Sequence, residues 1–167
     1  MASGTAVEAS GLDVLQPDQF EGEAFDQEDV HRIQASYYKG APPQWVNFYL
    51  AERSGTPFVK RDGYEEMKRC IEIHRRKRKT VTKVNLLHQP GSGGSTLAMQ
   101  TLWDLRKDFQ CAKLKDIVAD SNAIAKDVIN LASVQNIKQN KGKPILLLLD
   151  NAYKLKEFRT NSTEEAY

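Results

Sequence analysis

The residues best placed to do chemistry lie in one glycine-rich stretch, His88-Gln89-Pro90-Gly91-Ser92-Gly93-Gly94-Ser95-Thr96. Glycines there let successive backbone N–H groups turn toward phosphate oxygens without Cβ interference, and a helix that follows adds its positive end. Against the phosphate-cradling pattern G-x-x-x-x-G-K-[ST], Gly94 and Thr96 match, and Thr96 would place its hydroxyl on Mg²⁺. Two positions depart from it: Gln89 stands at the first glycine and Ser95 at the phosphate-binding lysine. Fifty-four residues beyond Thr96, the apolar run 145–149 ends in Asp150. An acid at the carboxyl end of a buried strand is where such sites hold Mg²⁺. The expected cofactor-binding set is therefore Gly91, Ser92, Gly93, Gly94, Ser95 and Thr96, with Thr96 and Asp150 on Mg²⁺ and ATP or GTP as the ligand. The plainer alternative is a tight strand-to-helix turn with an incidental acid. No residue is assigned a catalytic role.

Those residues need elements to hold them. Residues 81–87 are β-branched and apolar, which predicts a strand entering the loop, and residues 97–109 carry Met99, Leu102 and Trp103 at helical spacing. A weaker strand is expected over 111–117, where Ala112 and Leu114 alternate with Lys113 and Lys115. A second helix follows at 121–134 with Ile124, Val128 and Leu131 on one face. Gly142 and Pro144 then open the unbroken apolar strand 145–149, suited to the centre of a parallel sheet. Strand, helix, strand, helix, strand is an α/β signature.

Upstream the chain changes character. Residues 1–29 hold eight acidic side chains and no Lys or Arg, leaving +10 on the remaining 138 residues of a chain whose net charge is +2. That asymmetry predicts a disordered acidic segment over 1–25, which buries too little to offset the entropy of ordering. A helical lead-in is expected over 26–79. Asp26 is its first N-cap, with Val30, Ile33 and Tyr37 on one face, and Gly40 with Pro42-Pro43 ends that helix. Tyr37, Tyr38, Trp45, Phe48 and Tyr49 could stack bases beside Lys39 and Arg53, but a short helix packing Trp45, Phe48 and Tyr49 inward is the preferred reading. Asp62-Gly63-Tyr64-Glu65 has capping-box spacing and starts a helix over 62–76. That helix runs into Arg75-Arg76-Lys77-Arg78-Lys79, either a solvated cationic helix end or a footprint for RNA. A core is expected over 80–155 and a tail over 156–167.

Several classes are disfavoured. The longest apolar run is five residues, far short of a span of about 20, so no membrane insertion is expected. No basic-then-apolar leader opens the chain, and Cys70 and Cys111 lack CxxC spacing, so reduced thiols and a cytoplasmic location are expected. In that setting the sequon Asn161-Ser162-Thr163 is incidental. His31, His74 and His88 are scattered, without a zinc spacing, and no G-x-S-x-G elbow is present.

The stretch Tyr38-Lys39-Gly40-Ala41-Pro42-Pro43-Gln44-Trp45-Val46-Asn47-Phe48-Tyr49 resembles the lead-in of the sterile alpha motif domain-containing protein 9 and 9-like family. So does the block from His88 to Gln100, running on through Leu102-Trp103-Asp104-Leu105-Arg106-Lys107. The resemblance spans roughly 37–151, and in that family a hydroxyl residue follows the double glycine, as Ser95 does here. It implies a partial P-loop NTPase of the STAND kind, a three-layer α/β sandwich, within a large cytoplasmic, interferon-linked antiviral factor that restrains growth and translation. The family's sterile alpha motif, its Alba-like tRNA nuclease module and its C-terminal repeats have no recognisable counterpart in this chain.

The expected function is thus a nucleotide-binding regulatory switch, at most a slow nucleoside triphosphatase. Ser95 in place of lysine and Asn151 in place of a second acid both argue for slow turnover. Nucleotide and other domains of a larger chain are the expected partners, with oligomerisation open. A nucleic-acid module using residues 68–79 and a nucleotide-free interaction scaffold are the alternatives. The resemblance further implies a sheet ordered 5-1-4-3-2, whose fourth strand is not readable in residues 151–167, so the chain is expected to be a fragment with exposed sheet edges and poor solubility.

Overall fold

The computed structural model describes residues 11–75, 81–115, 120–133 and 142–150. In chain order the elements are β1 (Leu12–Leu15), α1 (Gln27–Tyr38), α2 (Trp45–Arg53), α3 (Tyr64–Arg75), α4 (Gly94–Leu105), β2 (Gln110–Leu114), α5 (Ser121–Ser133) and β3 (Ile145–Leu148). Local chemistry explains most of their bounds. Asp26 caps α1 by accepting from the Asp29 amide at 2.7 Å, and Gly40 takes φ +96° just beyond its end. Gln44 and Asn47 form a reciprocal capping box that starts α2. Gly63, at φ +85°, stands before Tyr64, so α3 begins at Tyr64, two residues later than the expected helix start at 62. α4 likewise starts at Gly94, three residues ahead of the first expected helical position.

The sheet has three strands in the order β1-β2-β3. β2 and β3 run parallel, with Gln110 opposite Ile145 and Lys113 opposite Leu148, and α5 lies in the crossover that parallel pairing requires. β1 runs antiparallel to β2, with Leu12 opposite Leu114 and Leu15 opposite Cys111. Strand side chains alternate between two cores, as a period of two dictates. One face sends Leu15, Cys111, Leu146 and Leu148 into a cluster with Trp45, Phe48, Ile71, Met99, Leu102 and Trp103. The other sends Leu12, Ala112, Leu114 and Leu147 against Ile124, Val128 and Leu131 of α5. Helices α2, α3 and α4 therefore cover one face and α5 the other, an α/β arrangement around a small mixed sheet. None of the described helices is long and apolar enough to cross a membrane.

Two expectations are corrected. Residues 12–15 fall in the segment expected to be disordered, yet they form β1, with Leu12 and Leu15 each 2% exposed. Three apolar residues in four suffice once β2 supplies the hydrogen bonds and both cores take the leucines. Conversely, residues 81–87 form no strand, and Val81 and Leu87 lie fully or almost fully in solvent. Strand propensity acts through pairing and packing, and no strand of the sheet β1-β2-β3 pairs with this stretch. The strand expected over 111–117 is realised as Gln110–Leu114, with 116–119 outside the described residues. Residues 1–10 and the tail 156–167, including the sequon, also lie outside them.

Cys111 sits at the junction of β2 and the α4 core, without measurable exposure, its thiol directed to the Leu102 carbonyl at 3.4 Å. Burial pushes the thiol up to about 12, since desolvation penalises the thiolate. An alkylating reagent at pH 7 should modify the partly exposed Cys70 while sparing Cys111 until the chain unfolds. The sign of the linkage follows: a raised folded pKa gives a stabilising contribution present below the unfolded value of 9.0 and lost as pH climbs toward 12. Equal labelling of both thiols in the folded chain would contradict this packing.

Candidate functional site

The turn between residues 89 and 93 is built for backbone exposure. The Ser92 amide donates to the Gln89 carbonyl at 3.1 Å, and Gly91 and Gly93 take φ +77° and +83°, a region costly for any residue with a Cβ. Gly93 is the N-cap of α4, and its carbonyl accepts the first helical bond from Leu97 at 2.9 Å. Space adds a second requirement for the glycine pair. A Cβ on Gly94 would sit 2.1 Å from the His88 ring, and one on Gly93 would sit 2.9 Å from the Arg61 guanidinium. His88 is itself placed by its Nδ1, 3.0 Å from the Gln89 carbonyl.

The parallel pairing brings the distant acid to this turn. Asp150 follows β3 at its carboxyl end, where ligands of parallel sheets are bound. Ser95 Oγ, on the first turn of α4, donates to Asp150 Oδ1 at 2.9 Å across 55 residues of chain. From the carboxyl half of β2, Lys113 Nζ lies 3.6 Å from Asp150 Oδ2, and both side chains are only about a fifth exposed. Lys113 Nζ also lies 3.7 Å from Met99 Sδ, so its stem lies against α4. Hydroxyl, carboxylate and ammonium thus meet where the loop, the helix start and two strand ends converge.

The expected site residues are distributed as follows. Gly91 and Ser92 lie exposed on the turn, Gly93 is half-buried and Gly94 is buried. Ser95 and Asp150 are brought into direct contact, and Thr96 stands half-buried one residue further along the same helical turn. The residue at the lysine position, rather than the one expected on Mg²⁺, therefore supplies the hydroxyl bonded to Asp150. Asn151 lies outside the described residues. Sequence reasoning missed Lys113 and Arg61. Strand register could have pointed to Lys113, which lies opposite Leu148, two positions before Asp150. Nothing local points to Arg61, 31 residues upstream of the carbonyl it bonds.

The other candidates fare differently. Trp45 and Phe48 are 3% and 2% exposed, so they belong to the core rather than to a stacking platform. Arg75 is engaged, with Nη1 3.2 Å from Asp108 Oδ1 and its guanidinium over the Phe109 ring. Arg76, Lys77, Arg78 and Lys79 lie outside the described residues. Among the described residues no group of three or more His, Cys, Asp or Glu is gathered as for a metal.

With this geometry in place, comparison with known proteins is informative about kinship. No family model matches the chain, and no solved structure matches it. Among curated proteins, the human sterile alpha motif domain-containing protein 9-like is 42% identical over 118 residues, 69% of this chain and 7% of that protein. Human sterile alpha motif domain-containing protein 9 is equally similar, and the mouse 9-like protein is 40% identical over the same length, 8% of its own. The chain thus spans well under a tenth of the length of these relatives. Identity of 40–42% over more than two thirds of its residues places the chain in the sterile alpha motif domain-containing protein 9 and 9-like family.

Proposed function

We propose that this chain is a nucleotide-binding regulatory segment of a larger cytoplasmic, antiviral and growth-restraining factor, with hydrolysis weak or absent. In this reading the α/β unit is a partial P-loop NTPase of the STAND kind, and residues 81–87, which form no strand here, are the segment that leads into its loop. One observation carries the reading: Ser95 on the loop helix bonds Asp150 at the end of β3 at 2.9 Å, so the two halves of the motif share one site. The amides of Gly91, Gly93 and Gly94 and the positive end of α4 would take phosphate oxygens, the Ser92 amide being taken by the Gln89 carbonyl.

Magnesium fits this donor set only as a partner of the phosphates. Asp150 is the one carboxylate brought to the loop by the contacts above, and Mg²⁺ commonly takes one or two carboxylates with the rest of its shell from phosphate and water. Thr96 and Asp150 would hold it, and its charge would neutralise the polyphosphate. Asp150 is bonded to Ser95 and paired with Lys113, so magnesium must compete with an ammonium for the same acid. That competition weakens the hold on magnesium and, with a neutral serine at the lysine position, favours slow turnover over rapid hydrolysis.

Thermal unfolding in saturating MgATP or MgGTP tests the reading. A ligand at 100 times its Kd stabilises by about 2.7 kcal/mol, enough to raise Tm by several degrees. The shift should persist or grow in Ser95→Lys, which restores a cation, and should shrink in Thr96→Ala. An identical melt with and without both nucleotides would leave the loop as a structural turn and the chain as an interaction scaffold.

A further inference from the structure

The loop departs from its pattern by lacking a cation, and the fold brings one from elsewhere. We propose that Arg61 is the residue that meets the ligand's phosphates in place of the missing lysine, an inference that rests on the nucleotide-site reading above.

Three observations support this assignment. The first is position: Arg61 Nη1 donates to the Ser92 carbonyl, and its guanidinium occupies the space in which a Cβ on Gly93 would stand, 2.9 Å away. The charge therefore lies against Ser92 and Gly93, within the turn whose glycine amides would take the phosphates. The second is anchorage. The Arg61 carbonyl accepts from the Tyr64 amide at 3.1 Å, and Tyr64, 1% exposed, donates its hydroxyl to Asp104 on α4. Three residues upstream, the Phe58 carbonyl accepts from Gln100 Nε2 at 3.0 Å, again on α4. The stretch 58–64 is thus fastened to the loop's own helix on both sides of Arg61, which presets the guanidinium over the turn.

The third observation is charge balance. Lys60 is taken up by Glu65 and by the Tyr64 ring, and Lys113 by Asp150. Among the described residues no carboxylate pairs with Arg61, whose contact at the loop is a neutral carbonyl. A guanidinium has five N–H donors in a planar fork that fits a phosphate bidentately, and it stays charged at any working pH. The ligand class this selects is the polyphosphate of a nucleoside di- or triphosphate, with the base contributing little to this contact. The lead-in would then sense occupancy of the loop, because the residue that touches the phosphates belongs to the α2–α3 connection.

The test titrates the full 167-residue chain with MgATP and, separately, with magnesium tripolyphosphate. Arg61→Gln should weaken both by at least tenfold, since hydrogen bonds to charged groups are the strong ones. Arg61→Lys, which keeps the charge and loses the fork, should fall between wild type and Arg61→Gln. Lys60→Gln, one residue away, should stay within about twofold. Arg61 is exposed, so circular-dichroism melts of the variants should match wild type, and Arg61→Lys keeps the comparison usable if Arg61→Gln misfolds. Wild-type binding with Arg61→Gln unchanged would overturn the role of Arg61 and leave the nucleotide site standing. An equal loss in Lys60→Gln would reduce the effect to general field and overturn it as well. Failure of wild type to bind either probe would remove the site itself, and the proposal with it.

Discussion

Trp103→Ala is expected to cost the fold about 3–5 kcal/mol, the range for truncating a buried indole. Trp103 is 5% exposed on α4, with Phe48 stacked at 6.3 Å, Phe20 at 6.4 Å and the Arg106 guanidinium 3.9 Å above its ring. Its Nε1 donates to Glu52 Oε2 at 2.7 Å, which joins α4 to α2, and Arg106 pairs with the same carboxylate at 3.0 Å. Packing outweighs this hydrogen bond because Glu52 is 55% exposed and water can replace the indole N–H. Trp103→Phe, which keeps most of the ring volume, should therefore cost only about 1–2 kcal/mol. Urea unfolding of both variants checks the ordering. Equal losses would mean that the polar link to α2, rather than the core, holds this face together.

That ordering bears on what could be read from the sequence. Helices α1, α2 and α5 were legible because their signals are local: Asp26 caps one, Trp45 and Phe48 mark the inner face of another, and Ile124 with Val128 and Leu131 mark the third. β3 was legible as an unbroken apolar run ending in an acid. β1 was not, because Leu12, Val14 and Leu15 are embedded in an acidic stretch and gain strand character only through β2. Residues 81–87 show the converse, a strand-like pattern left without a partner strand. Ser95 and Asp150 were visible as motif positions, but their direct contact was not. Arg61 and Lys113 reach the site through tertiary packing alone, and only a structure reveals such residues.

Asp150 is where the second large effect is expected. In Asp150→Ala, Ser95 loses its acceptor and Lys113, 19% exposed, loses its counter-charge. Leaving a largely buried ammonium unpaired should cost about 1–3 kcal/mol. Asp150→Asn keeps an acceptor for Ser95 and removes the charge, so it should fold better than the alanine variant while losing magnesium dependence just as fully. This split separates structure from ligand chemistry. If the asparagine variant retains magnesium-dependent nucleotide binding, Asp150 is only a structural acceptor and pair for Lys113.

The central claim is that the loop, Thr96 and Asp150 form one nucleotide site, and calorimetric titration of the wild-type chain tests it most directly. MgATP and MgGTP would each be titrated into the chain in excess magnesium and again in EDTA. The account predicts saturable binding at one site per chain for at least one of the two nucleotides, weakened at least tenfold when magnesium is withdrawn. No saturable heat with either nucleotide, or affinities indifferent to magnesium, would contradict it.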